Sequence, residues 1–343
     1  MKAVVYDSAK NFTVKEIPTP TPQAGEVLIK VELAGVCGTD LHIHEGDFLA
    51  EFPLIPGHEM VGTISALGAG VSQFKVGDRV TVNPVVSCGD CEFCREGKPI
   101  LCHNRKGLGT NWPGSFAEYM IATQDLVFKV GNLSAEDAMF AEPAACAMHG
   151  AQMLKITPGT SALIFGAGPT GQLLAQLMAT SGAASVTVAG STQFKLDVAK
   201  KLGADKTYLM DRNNIAKTKE DLLKASPSGY DIVVEATGSM DVAEICVPLT
   251  RSGGTFMVYG VAEPDDTFRI NAFDVFHREI TIQGSFAEID TFPATLAALE
   301  SGRLKTTGLV THRFTIDEYG KALETLRSDK TAHKVVITFL DPA

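Results

Sequence analysis

Among its 343 residues the chain has one tryptophan and no run of basic residues. It also has no stretch approaching the roughly eighteen uninterrupted apolar residues of a membrane-spanning helix. Each absence removes a class of function. A formal net charge of −10 without a basic patch argues against nucleic acid and anionic membranes as partners. The opening stretch "MKAVVYDSAKNFTVKEIP" has polar residues every few positions and lacks the apolar centre of a signal peptide. The expectation is a cytoplasmic protein. Nor is the composition that of a disordered chain: 45% of residues are hydrophobic and 20% charged, which is enough apolar material for a core. Cysteine is sparse, and seven is an odd count that a complete disulfide framework would not give. In a reducing compartment, clustered thiols are metal ligands or catalytic groups more often than disulfides.

What is present changes character along the chain. "GEVLIKVELAGV", "VGTISALG", "VGDRVTV" and "SFAEYMIA" read as short strands punctuated by Gly and Pro, a β-rich, barrel-like unit up to about residue 145. After that, apolar strands ("SALIF", "SVTVAGS", "YDIVVEATG", "GGTFMVYGVA") alternate with helical stretches such as "TQFKLDVAKKLGA". That alternation predicts a doubly wound parallel sheet, so the fold class is α/β. "ITIQGSF" and "AHKVVITFL" read as strands again. The expected division is 1–145, 146–280, and a return to the first domain over 281–343.

Four of the seven cysteines fall in "CGDCEFCREGKPILC": Cys88, Cys91, Cys94 and Cys102. Paired C-x2-C loops let thiolates approach one ion from adjacent corners of a tetrahedron. Sulfur-only ligation suits zinc, with an iron–sulfur cluster the less favoured alternative. Four protein ligands close the shell to water, so this ion would be structural.

A second set lies in "AGVCGTDLHIHEGDF" and "PLIPGHEMVG". Cys37 alone is ordinarily a small buried apolar residue, and a lone His58–Glu59 pair an ordinary surface pair. Glycine turns after apolar strands bring both segments to places where side chains can converge. Cys, His and Glu with one position open make a catalytic zinc set. Glu142 in "FAEPAACAMHG", an acid in an apolar run where the β-rich half hands over to the α/β half, asks for a cation. "IFGAGPTG" places Gly166, Gly168, Pro169, Thr170 and Gly171 between an apolar strand and an Ala/Leu-rich helix. In that context G-x-G-x-x-G is a dinucleotide turn whose helix N-terminus faces the pyrophosphate.

"VCGTDLH", "PGHEMVG", the four-cysteine lobe, "FAEP", the glycine turn and the late "VTHRF" together resemble the zinc-containing medium-chain alcohol and polyol dehydrogenases, over nearly the whole chain. The resemblance implies a GroES-like catalytic domain with an inserted Rossmann domain. It implies two zincs per chain, a catalytic one at Cys37, His58, Glu59 and Glu142, the last directly or through water, and a structural one in the cysteine lobe, and a homotetramer or dimer. Glu142 stands where simple alcohol dehydrogenases use a cysteine, as in the branch resembling sorbitol, arabinitol, butanediol and threonine dehydrogenases. A carboxylate in place of a thiolate leaves zinc harder and its ligands more exchangeable, so polyols and vicinal diols are the expected substrates. Thr39 would take the substrate proton and His42 pass it towards solvent. His44, His103, His149, Cys146 and Cys246 match no role. Trp112 either lines the substrate pocket or covers the core.

The cofactor expected is NADP. Members binding NAD end the second Rossmann strand with an acid that holds the ribose hydroxyls and repels a 2′-phosphate. Counting back from "KLGA" puts Gly190 there, followed by the hydroxyls of Ser191 and Thr192 and the cation of Lys195. Two other classes compete. A zinc hydrolase using Cys37, His58 and Glu59 leaves the dinucleotide turn unexplained. A non-catalytic cofactor-binding protein would not need the full ligand set together with Thr39 and His42.

Overall fold

The computed structural model describes residues 1–47 and 50–339. They form two compact units, 1–145 with 289–343, and 146–288.

After an antiparallel pair of strands, Lys2–Ser8 and Asn11–Glu16, the first unit enters β1 (Glu26–Val36), whose Val, Leu and Ile residues bury most of its positions. A turn leads to α1 (Gly38–Glu45), then β2 (Glu59–Leu67), β3 (Arg79–Val82), β4 (Tyr119–Thr123) and β5 (Val127–Lys129). The second unit carries β6 (Ser161–Phe165), α2 (Pro169–Thr180), β7 (Ser185–Gly190), α3 (Gln193–Lys201) and β8 (Lys206–Leu209). It continues with β9 (Tyr230–Glu235), β10 (Thr250–Val258) and β11 (Thr281–Gly284). The chain then returns to the first unit with β12 (Val310–Thr315) and β13 (Lys334–Thr338).

In the first unit, β13 lies antiparallel beside β1, and β1 beside β2. The seven-stranded sheet runs β12-β13-β1-β2-β3-β5, with β4 also on β1. Its core joins Val27, Ile29, Val31 and Met60 to Tyr319 and Val335 from the returning segment. The last fifty or so residues are therefore part of this core rather than an appendage.

The second unit is a six-stranded parallel sheet in the order β8-β7-β6-β9-β10-β11. That is the doubly wound order with its switch point between β6 and β9. One expected boundary needs correction. "ITIQ" pairs in parallel with β10 as the sixth strand of this sheet, so the return to the first unit begins at 289 and not at 281. An apolar strand carries no mark of which sheet it joins; the open edge of β10 decides. No helix among the described residues is long and apolar enough to cross a membrane.

Candidate active site

Cys37 directly follows β1 and caps α1, its backbone N–H donating to the Asp40 carboxylate at 2.8 Å. Gly57 precedes His58 with φ +96°, a left-handed conformation suited to glycine, and a Cβ there would meet the Phe116 backbone nitrogen at 2.9 Å. This turn sets His58 and Glu59 at the start of β2. Gly35 on β1 pairs in register with Glu59. A Cβ at Gly35 would come to 2.1 Å from the Glu59 carboxylate, so glycine leaves the space that the acid occupies.

The result brings one ligand atom each from Cys37, His58 and Glu59 to within 4.8 Å of one another. Glu59 is fully buried and His58 nearly so. His58 Nδ1 faces Asp40 Oδ1 at 4.0 Å, and neither atom has a hydrogen-bond partner. Burial works against charge on the imidazole, but Cys37, Asp40 and Glu142 overcome it and hold its pKa well above the usual value. Burial pushes the Asp40 carboxyl up to about 6. A half-buried thiol beside a buried imidazole and a buried carboxylate, with unsatisfied polar atoms around them, suits a divalent cation, zinc by donor type. Glu142 lies outside the group of three, but its charge acts on both His58 and Lys334. Thr39 Oγ1 stands 3.8 Å from Cys37 Sγ, and His42, one turn further along α1, pairs through Nδ1 with Asp47 at 3.1 Å.

Lys334 was not legible as a site residue. It opens β13, is buried, and places Nζ 2.7 Å from both Glu59 oxygens. Burial opposes its charge; Glu59, Cys37 and Glu142 outweigh that and raise its pKa. The only signal was a lone lysine leading the apolar run "KVVIT". Asp40 likewise stood inside a quoted motif without a role.

In the cysteine lobe the sulfurs of Cys91 and Cys94 are 3.5 Å apart, Cys102 and Cys88 3.4 Å, and Cys88 and Cys94 3.9 Å. These spacings are too long for disulfides. A tetrahedral shell of Zn–S bonds of about 2.3 Å places its sulfurs about 3.8 Å apart, so the lobe fits zinc. Backbone N–H groups, that of Cys94 first, hold the Cys91 thiol down to about 6. His44 accepts or donates at Tyr6 Oη (2.9 Å), and Cys246 is buried in the core of the second unit. Trp112 is half exposed, with Lys106 Nζ 3.6 Å over its ring.

In the second unit Gly166 adopts φ +117°, and a Cβ on Gly171 would sit 2.1 Å from the Gly166 carbonyl oxygen. Gly168 has open space before it and caps α2, with Pro169 and Thr170 as the first two helical residues. A cradle open at Gly168 and closed at Gly171 fits a pyrophosphate against a helix N-terminus. A pocket extends from this turn to Gly190, Ser191, Thr192 and Lys195, and also reaches Met210, Arg212 and Thr237. It contains two cations and no carboxylate. Gly190 is buried, and a Cβ there would meet the Ala167 Cβ at 2.8 Å, so installing an acid at that position would force the turn to move.

The alcohol dehydrogenase GroES-like domain matches residues 23–132, and the zinc-binding dehydrogenase domain matches 169–301. The chain is 42% identical to D-arabinitol dehydrogenase 1 of Uromyces fabae, over 96% of this chain and 94% of that one. It belongs to the zinc-binding alcohol and polyol dehydrogenase family. Among solved structures, a putative zinc-binding dehydrogenase from Sinorhizobium meliloti 1021 bound to NADP superposes with a TM-score of 0.93. The two share 28% identity over 98% of each chain. A protein from Escherichia coli CFT073 described as a short chain alcohol dehydrogenase, complexed with NADH, gives 0.91, at 29% identity over 99% of each chain. The family is one of oxidoreductases with a GroES-like and a Rossmann-type domain, as the motifs implied.

Proposed function

We propose that this dehydrogenase oxidises sugar alcohols to ketoses, with NADP as hydride acceptor and one zinc at each of the two cysteine-containing sites. The observation carrying the reading is the Cys37–His58–Glu59 group, its histidine and carboxylate buried, with a further carboxylate, Glu142, acting on it where a thiolate would make a softer site. The likeness to a protein named D-arabinitol dehydrogenase 1 supports the substrate class. Zinc, when bound, supplies a Lewis acid that makes a substrate hydroxyl easier to deprotonate. Cys37, His58 and Glu59 would hold it, and Glu142 would orient the polar groups that approach it. The Thr39 hydroxyl takes up the substrate proton while releasing its own, and His42, on the same helix face and held by Asp47, carries it onward. NADP, held along the glycine turn of Gly166 and Gly168, would supply the acceptor for the carbinol hydride. A cofactor pocket with Lys195 and Arg212 and no acid favours the extra phosphate of NADP over the bare ribose of NAD.

The test is a panel of pentitols, hexitols, butanediol, threonine and ethanol, each with both cofactors at equal, low concentration. Higher kcat/KM for a polyol and for NADP is expected. A preference for ethanol over every polyol and diol would defeat the substrate assignment, and faster turnover with NAD would defeat the cofactor assignment.

A further inference from the structure

Arg212 follows β8, twenty-one positions from Ser191 in sequence, and yet its Nε donates to Ser191 Oγ at 3.0 Å. It is exposed on the rim of the cofactor pocket. Among the described residues this serine is the one partner its guanidinium has; no carboxylate pairs with it. The adjacent Asp211 does not line the pocket and accepts from the Asn213 backbone N–H at 2.9 Å. A guanidinium fixed by one nitrogen to a neutral hydroxyl keeps its two terminal nitrogens for an anion, and their planar fork matches phosphate oxygens. The position identifies the anion. Ser191 directly follows β7, the second strand of the sheet's first half, where a doubly wound fold meets the adenosine ribose. The pyrophosphate end, at Gly166 and Gly168, is already served by backbone N–H groups.

We propose that Arg212, positioned by Ser191, grips the adenosine 2′-phosphate and is the main determinant of NADP preference. The proposal rests on the NADP reading above but assigns it to a residue from the third strand's end. Lys195 is then secondary: it rides on α3, and a single ammonium lacks the fork.

The experiment measures equilibrium binding of 2′,5′-ADP and 5′-AMP to the full chain by calorimetry, which needs neither metal nor turnover. Wild type, Arg212→Ala, Arg212→Lys and Lys195→Ala are compared. Wild type should bind 2′,5′-ADP tighter than 5′-AMP by about tenfold to a hundredfold, the range of a hydrogen bond to a charged group. Arg212→Ala should bring that ratio to within about twofold of unity with 5′-AMP binding unchanged, Arg212→Lys should restore part of it, and Lys195→Ala should keep most of it. A wild-type ratio retained in Arg212→Ala, or lost only in Lys195→Ala, overturns the assignment and leaves the NADP reading standing. An equal loss of 5′-AMP binding in Arg212→Ala also overturns it, since the arginine would then hold adenosine in general. A wild type that does not distinguish the two ligands sinks the NADP reading itself, and the assignment with it.

Discussion

Replacing Lys334 with methionine is expected to destabilise the metal-free protein by about 3–5 kcal/mol, the usual cost of stranding one member of a buried ion pair. Methionine matches the lysine stem in size, so little packing is lost. What remains is Glu59, fully buried on β2, without the ammonium that meets both its oxygens at 2.7 Å. The double variant Lys334→Met/Glu59→Gln should recover most of the loss, because the uncompensated charge is gone. Zinc should raise the melting temperature of Lys334→Met more than that of wild type, since a bound cation replaces the missing positive charge. Urea unfolding of the chelated proteins reads the first two effects. An unchanged midpoint in the single variant would mean that the pair is not closed in solution.

A second large effect is expected from Thr39→Val, which keeps the shape and removes the hydroxyl. If Thr39 handles the substrate proton, kcat should fall by about 10²–10⁴-fold, the usual contribution of a positioned proton-transfer group. KM and zinc content should change little, because a neutral threonine hydroxyl is not among the donors that ordinarily hold zinc. Thr39→Ser should retain most activity. Full activity in Thr39→Val would remove the residue from the reaction, and loss of zinc along with activity would recast it as a support of the Cys37 thiolate 3.8 Å away.

Both residues bear on what could be read from the sequence. Features set by local spacing were legible. The cysteine lobe closes within fifteen positions, and the glycine turn is fixed by three glycines with a strand before and a helix after. Cys37 and the His58–Glu59 pair were also visible, since each sits at a glycine turn. Pairings across the chain were not. Lys334 meets Glu59 over 275 positions, because β13 docks beside β1. Arg212 meets Ser191 because parallel β8 and β7 end side by side. Neither contact leaves a trace in spacing. The assignment of 281–284 failed for a related reason: apolar alternation says that a segment is a strand and not which sheet it completes. That Gly190 stands where an acid would is plain in the sequence, but its closeness to Ala167, which makes an acid there costly, is a matter of packing.

Activity is expected to rest on a labile metal at Cys37, His58 and Glu59, while a closed four-thiolate site carries structure. A chelation time course with zinc content and polyol oxidation rate measured on the same samples tests this most directly. An open site with three protein ligands should empty first, and the lobe, whose ion is coupled to folding, should hold. The predicted result is that activity falls in proportion to the first zinc, reaching zero with one zinc per chain still bound and the fold intact by circular dichroism. Activity that disappears while two zincs remain bound, or that survives after the first zinc has gone, would contradict it.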